Sequence, residues 1–160
     1  MTTRLEVVMT GNQTQRLLTF AGRIDDSALL VGLIEQVRAA EVVIDTGGVA
    51  FINSIGVREW MRFLRGLAAT GARIRLENVA EVIVTQMNLI PDLRAGATVV
   101  SVQAPYACDK CGAELGMLVD IGQHAEALRA LQPPTYFCPE CGGVMRLADY
   151  PDRYFSFLKG

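Results

Sequence analysis

Glu41-Val42-Val43-Ile44-Asp45-Thr46-Gly47-Gly48, followed by Phe51-Ile52-Asn53-Ser54-Ile55-Gly56-Val57, decides how the first two-thirds of the chain folds. Val42-Val43-Ile44 is β-branched without polar alternation, which suits a strand buried on both faces, and Gly47-Gly48 bounds it. A loop, Val49 to Asn53, is expected next. From Ser54 to about Thr70 the residues Val57, Trp60, Met61, Leu64, Leu67 and Ala68 fall on one helical stripe. Gly71 stands just past its end, where helices favour a left-handed residue. Trp60, beside Met61 and Leu64, reads as core, and Asn53 or Ser54 has the side chain to cap the helix.

Outward from this unit, Arg4 to Thr10 and Gln15 to Phe20 form an expected hairpin turning at Gly11-Asn12. Ala28, Leu30, Val31, Ile34 and Val37 have helical spacing behind the capping candidates Asp25, Asp26 and Ser27, which predicts about three turns of helix. Ala72 to Glu77 is a strand, Val79 to about Met87 a short helix, and Thr98 to Gln103 a last strand. The order ββαβαβαβ predicts an α/β fold, a mixed β-sheet covered by helices.

Leu18-Thr19-Phe20-Ala21-Gly22-Arg23-Ile24-Asp25, Val42-Val43-Ile44-Asp45 and Phe51-Ile52-Asn53-Ser54-Ile55-Gly56-Val57 together resemble a STAS domain over roughly residues 4 to 103. STAS domains are named for sulfate transporters and anti-sigma-factor antagonists. The resemblance implies a small sheet-and-helix fold in which the residue matching Ser54 is phosphorylated by an anti-sigma-factor kinase, the unphosphorylated form binding that kinase. It also assigns Asp25 to an acidic position near the phosphosite, and Gly22 and Gly56 to family glycines. Asn53 replaces the family's acidic residue, and Ile55 its second hydroxyl residue. On physical grounds a helix start at Ser54 favours an anion, and a phosphate there adds nearly two negative charges to a docking surface. Plain capping by Ser54 or Asn53 is the equally common alternative. The expected partner face comprises Asp25, Asn53, Gly56, Arg58 and Arg62, although an arginine stripe of Arg58, Arg62 and Arg65 pairs as readily with Glu59 and solvent.

Beyond Pro105 the composition changes: all four cysteines and seven of the eleven aromatic residues lie there. The division is therefore placed as a STAS-like domain over 1–105 and a small zinc-ribbon-like module over 106–160. Cys108-Asp109-Lys110-Cys111-Gly112 and Cys138-Pro139-Glu140-Cys141-Gly142 are two knuckles whose four thiolates make a closed tetrahedral set, so a structural Zn²⁺ is the expected cofactor. Glycine after the second cysteine of each permits the tight turn. The long spacer leaves room for a hairpin or a short helix around His124 to Leu131, and His124 is expected as a packing or surface residue. Paired knuckles with a long spacer also resemble rubredoxin-type iron proteins, the alternative for the metal. The aromatic tail is expected as core or protein interface.

The 160 residues are 51% hydrophobic and 20% charged with a net charge of -2, an ordinary globular profile without the basic excess that draws nucleic acid. Ala28 to Ile34, the longest apolar stretch, is too short to span a bilayer, and nothing resembles a signal peptide, so a cytoplasmic protein is expected. No nucleophile–base pair, phosphate loop or open metal site points to an enzyme. Three functional classes remain: a regulatory protein-binding module, a STAS-like scaffold without phosphorylation, and an iron electron-transfer protein. Nucleotide or lipid binding at the loop before Ser54 has weak support.

Overall fold

A computed structural model describes residues 3–159. The first sheet has the order β1 (Glu6–Gly11), β2 (Gln15–Ile24), β3 (Glu41–Ile52), β4 (Arg73–Glu77), β5 (Thr98–Val99). The opening hairpin is antiparallel and the remaining pairs are parallel, so the sheet is mixed as expected. On β2 the residues alternate: Leu18, Phe20 and Ile24 are buried while Leu17 and Thr19 are exposed. The buried side packs against α2 (Ser54–Ala69), where Trp60, Phe63 and Leu64 are fully enclosed and Phe20 meets Trp60 edge-on at 5.9 Å. Trp60 is core, as its spacing predicts.

Three local expectations are corrected. The helix expected over 28–37 is a 3-10 turn, Val31–Leu33, followed by a single turn, α1 (Ile34–Val37). Gly32 weakens the helix interior, and Arg38 ends it with φ 32°. The strand expected to stop at Asp45 runs on through Gly47-Gly48 to Ile52, so no loop spans 49–52. Its parallel pairing with β2 continues across two register shifts, and at Gly48 a side chain would crowd Ala21 and the Phe20 carbonyl. The single strand expected over 98–103 is divided: Thr98–Val99 closes the first sheet, and residues from Ser101 onward enter another.

That second sheet is antiparallel, with the order β7 (Glu114–Asp120), β6 (Ser101–Cys108), β9 (Val144–Leu147), β8 (Tyr136–Phe137). Helix α4 (Ile121–Arg129) fills the spacer between the knuckles. The chain crosses between sheets at Val100, so Pro105, where the 1–105 and 106–160 division is placed, lies inside β6. Its missing N–H is tolerated because it falls where β9 leaves the ladder, next to Tyr106–Leu147. Val102, Ala104, Tyr106 and Met145 of this sheet join Val79, Ile83 and Trp60 in one continuous core.

Helix α3 (Glu81–Leu89) also holds the end of the chain. Asn88 Nδ2 donates to the Tyr154 carbonyl at 2.8 Å, and Asn88 Oδ1 accepts from Phe157 N at 2.9 Å. Tyr154, at the end of α5 (Pro151–Tyr154), is buried with Phe155 and Phe157. Most of the aromatic tail is thus core, whereas Phe137 and Tyr150 remain exposed.

Candidate functional site

The two knuckles are built alike. In each, the first cysteine's N–H donates to a carbonyl five residues on, Cys108 to Ala113 at 2.9 Å and Cys138 to Gly143 at 2.7 Å. In each, the glycine after the second cysteine donates back to the first cysteine's carbonyl, at 3.1 Å from Gly112 and 2.8 Å from Gly142. Gly112 and Gly142 take φ 74° and 76°, the left-handed region that a side chain would strain. The turns aim amides at sulfur: Lys110 N and Cys111 N donate to Cys108 Sγ at 3.3 and 3.4 Å, and Gly143 N to Cys141 Sγ at 3.4 Å.

Cys108 ends β6, and Cys138 and Cys141 lie between β8 and β9, so sheet pairing carries the knuckles together. The four sulfurs lie within 4.8 Å of one another, with Cys108–Cys141 at 3.4 Å and Cys111–Cys138 at 3.7 Å. A tetrahedron with metal–sulfur bonds of about 2.3 Å has edges of about 3.8 Å, so this donor set fits a four-coordinate ion. No cysteine is in a disulfide. The amides of Cys111 and Lys110 help bring the Cys108 thiol down to about 6. Cys111 is pushed up to about 12, because Cys141, desolvation, Cys108 and Cys138 outweigh the favourable Ala113 amide. Four thiolates crowded this closely repel one another, and a cation among them removes that conflict. His124 lies on α4 and is not in the cluster.

The second candidate site is the start of α2. Asn53 is the cap, its Oδ1 accepting from Gly56 N at 2.8 Å, and Ser54, the first helical residue, is exposed. Asp25, whose backbone lies against Gly56, is buried: Oδ1 accepts from the Ser27 N–H at 2.9 Å and from the Ser27 hydroxyl, while Oδ2 forms an ion pair with Arg23, 3.1 Å from its Nε. The Ser27 hydrogen bonds, aided by Arg23, hold the Asp25 carboxyl below its ordinary value. The Arg23 guanidinium also stacks on Phe51, 4.8 Å from the ring centre. Arg58 and Arg62 are exposed on α2, and Arg62 pairs with Glu59 at 3.4 Å. Gly56 is buried against β2.

Two parts of this architecture escaped the sequence reading. Gly143 lies between the knuckles, where a side chain would strike Lys110 Cβ and the sulfurs of Cys108 and Cys141; the glycine pair Gly142-Gly143 was the available signal. Asn78, with φ 49°, joins the sheets: its Nδ2 donates to Asp45 Oδ1 at 3.1 Å and its Oδ1 accepts from Gln103 Nε2 at 2.9 Å. No local pattern marks that role.

No family model matches this sequence, and no curated protein matches it. The fold is similar to the solved structure of the anti-sigma factor antagonist SpoIIAA in its unphosphorylated form, with a TM-score of 0.44 and 18% identity, covering 60% of this chain and 86% of that chain. Among the described residues, no helix is long and apolar enough to cross a membrane.

Proposed function

We propose that this chain is a non-enzymatic regulatory module of the STAS type, binding a signalling protein such as an anti-sigma-factor kinase and switched by phosphorylation of Ser54. The observation that carries the reading is the exposure of Ser54 at the first position of α2, with its cap supplied by Asn53. The serine hydroxyl is therefore free for modification, and a phosphate on it meets the positive end of the helix. Exposed Arg58 and Arg62 belong to the docking face. Asp25 and Gly56 act from beneath, by fixing the β2 end against which the helix starts. The four cysteines hold one structural Zn²⁺, which staples the second sheet and needs no open coordination position.

A STAS-like scaffold without phosphorylation is favoured by Asn53, whose side-chain oxygen is committed to capping, and by Ile55, an exposed apolar residue in the motif. Intact mass spectrometry of the protein recovered from its own host separates the two. One zinc with phosphate mapped to Ser54 supports the switch; zinc without phosphate under every growth condition sinks it in favour of the scaffold. A red, iron-loaded protein instead replaces the zinc reading with the rubredoxin-like one.

A further inference from the structure

The four cysteines are unequal in exposure and in neighbours. Cys111 is exposed, Cys141 is half-buried, and Cys108 and Cys138 are buried. Both sulfur pairs found within 3.7 Å join opposite knuckles, Cys111 to Cys138 and Cys108 to Cys141. We infer that the cluster is a peroxide-responsive dithiol site in which exposed Cys111 is oxidised first and Cys138, the sulfur beside it on the other knuckle, resolves it to a cross-knuckle disulfide. The inference rests on the metal reading for one point, that a bound divalent ion keeps all four sulfurs as thiolates.

The chemistry balances with a hydroperoxide as oxidant. The Cys111 thiolate attacks one peroxide oxygen, the O–O bond breaks, and Cys111 sulfenic acid and hydroxide result. The Cys138 thiolate then attacks the sulfenic sulfur, an S–S bond forms, the S–O bond breaks, and a second hydroxide leaves. Two thiolates have given two electrons to one peroxide. Only Cys108 and Cys141 then remain as ligands, too few to retain the ion against a chelator. Because the link joins the two knuckles, it keeps β6 and the β8–β9 hairpin tied after the metal has gone. A link within either Cys-x-x-Cys would add no covalent tie between the knuckles.

The test uses the whole 160-residue chain, loaded with zinc. Native mass spectrometry first gives the metal content; hydrogen peroxide is then added in the presence of a chromogenic zinc chelator, free thiols are alkylated, and disulfides are mapped without reduction. One zinc released per Cys111–Cys138 link, reversed by a dithiol reductant and zinc, is the expected result. A first link within a knuckle, a first link between Cys108 and Cys141, or retention of zinc with Cys111 oxidised overturns the inference while leaving the metal reading intact. A chain that carries no metal before oxidation overturns both, and the native mass separates the two failures.

Discussion

The α-carbon of Gly56 lies against the backbone carbonyl of Ile24 so closely that a β-carbon at position 56 would overlap it. This contact seats the first turn of α2 on the end of β2, and Asn53 N donates to the same carbonyl at 3.3 Å. It is the reason that the end of β2 at Ile24 and the start of α2 at Asn53 and Ser54, distant in sequence, lie side by side.

Gly56→Ala therefore forces backbone apart rather than bending a flexible side chain. Overpacking of this kind costs about 1–3 kcal/mol. Urea denaturation should show a lowered midpoint with an unchanged slope; wild-type stability would mean that α2 shifts freely on β2.

Asn53 and Ser54 should separate cleanly. Asn53→Ala removes the cap on Gly56 N and should cost about 1 kcal/mol. Ser54→Ala, at an exposed position, should stay within about 0.5 kcal/mol. Thermal melts of the two variants check the difference, and a larger loss from Ser54→Ala would make the serine structural.

Asp25 supplies an acid-sensitive contribution. Its folded carboxyl is held below the ordinary value of about 3.9 by the Ser27 hydrogen bonds, with help from Arg23. The associated stability is fully present above that ordinary value and is lost as the pH falls through the lower folded value. Asp25→Asn should flatten the stability profile across this acidic window, measured by denaturant midpoint against pH; an unchanged slope there would dissociate Asp25 from acid sensitivity.

Removing metal should loosen the second sheet before the first. The knuckles close the ends of β6 and the β8–β9 hairpin, so an ion held by the four cysteines would tie these strands together. Hydrogen exchange after chelation should show lost protection in residues 106–147, reaching Val102 and Ala104 through the shared core. Undiminished protection would make the ion dispensable for folding.

Sequence alone determined what depends on short-range pattern. The Cys-x-x-Cys-Gly spacing placed two knuckles because both thiolates of a pair and the left-handed glycine lie within one turn of chain. The stripe from Val57 to Leu67 placed α2 and the burial of Trp60 because helix periodicity is local, and Val42-Val43-Ile44 placed the central strand. Tertiary structure decided what depends on the neighbour. Gly47-Gly48 is a local breaker, yet parallel pairing with β2 carries β3 across it to Ile52. Residues 98–103 have strand character throughout, but only the positions of β4 and β7 divide them between two sheets. The Asn78 joint and the cross-knuckle sulfur pairs likewise arise from segments brought together by packing, whose interactions have no signature along the chain.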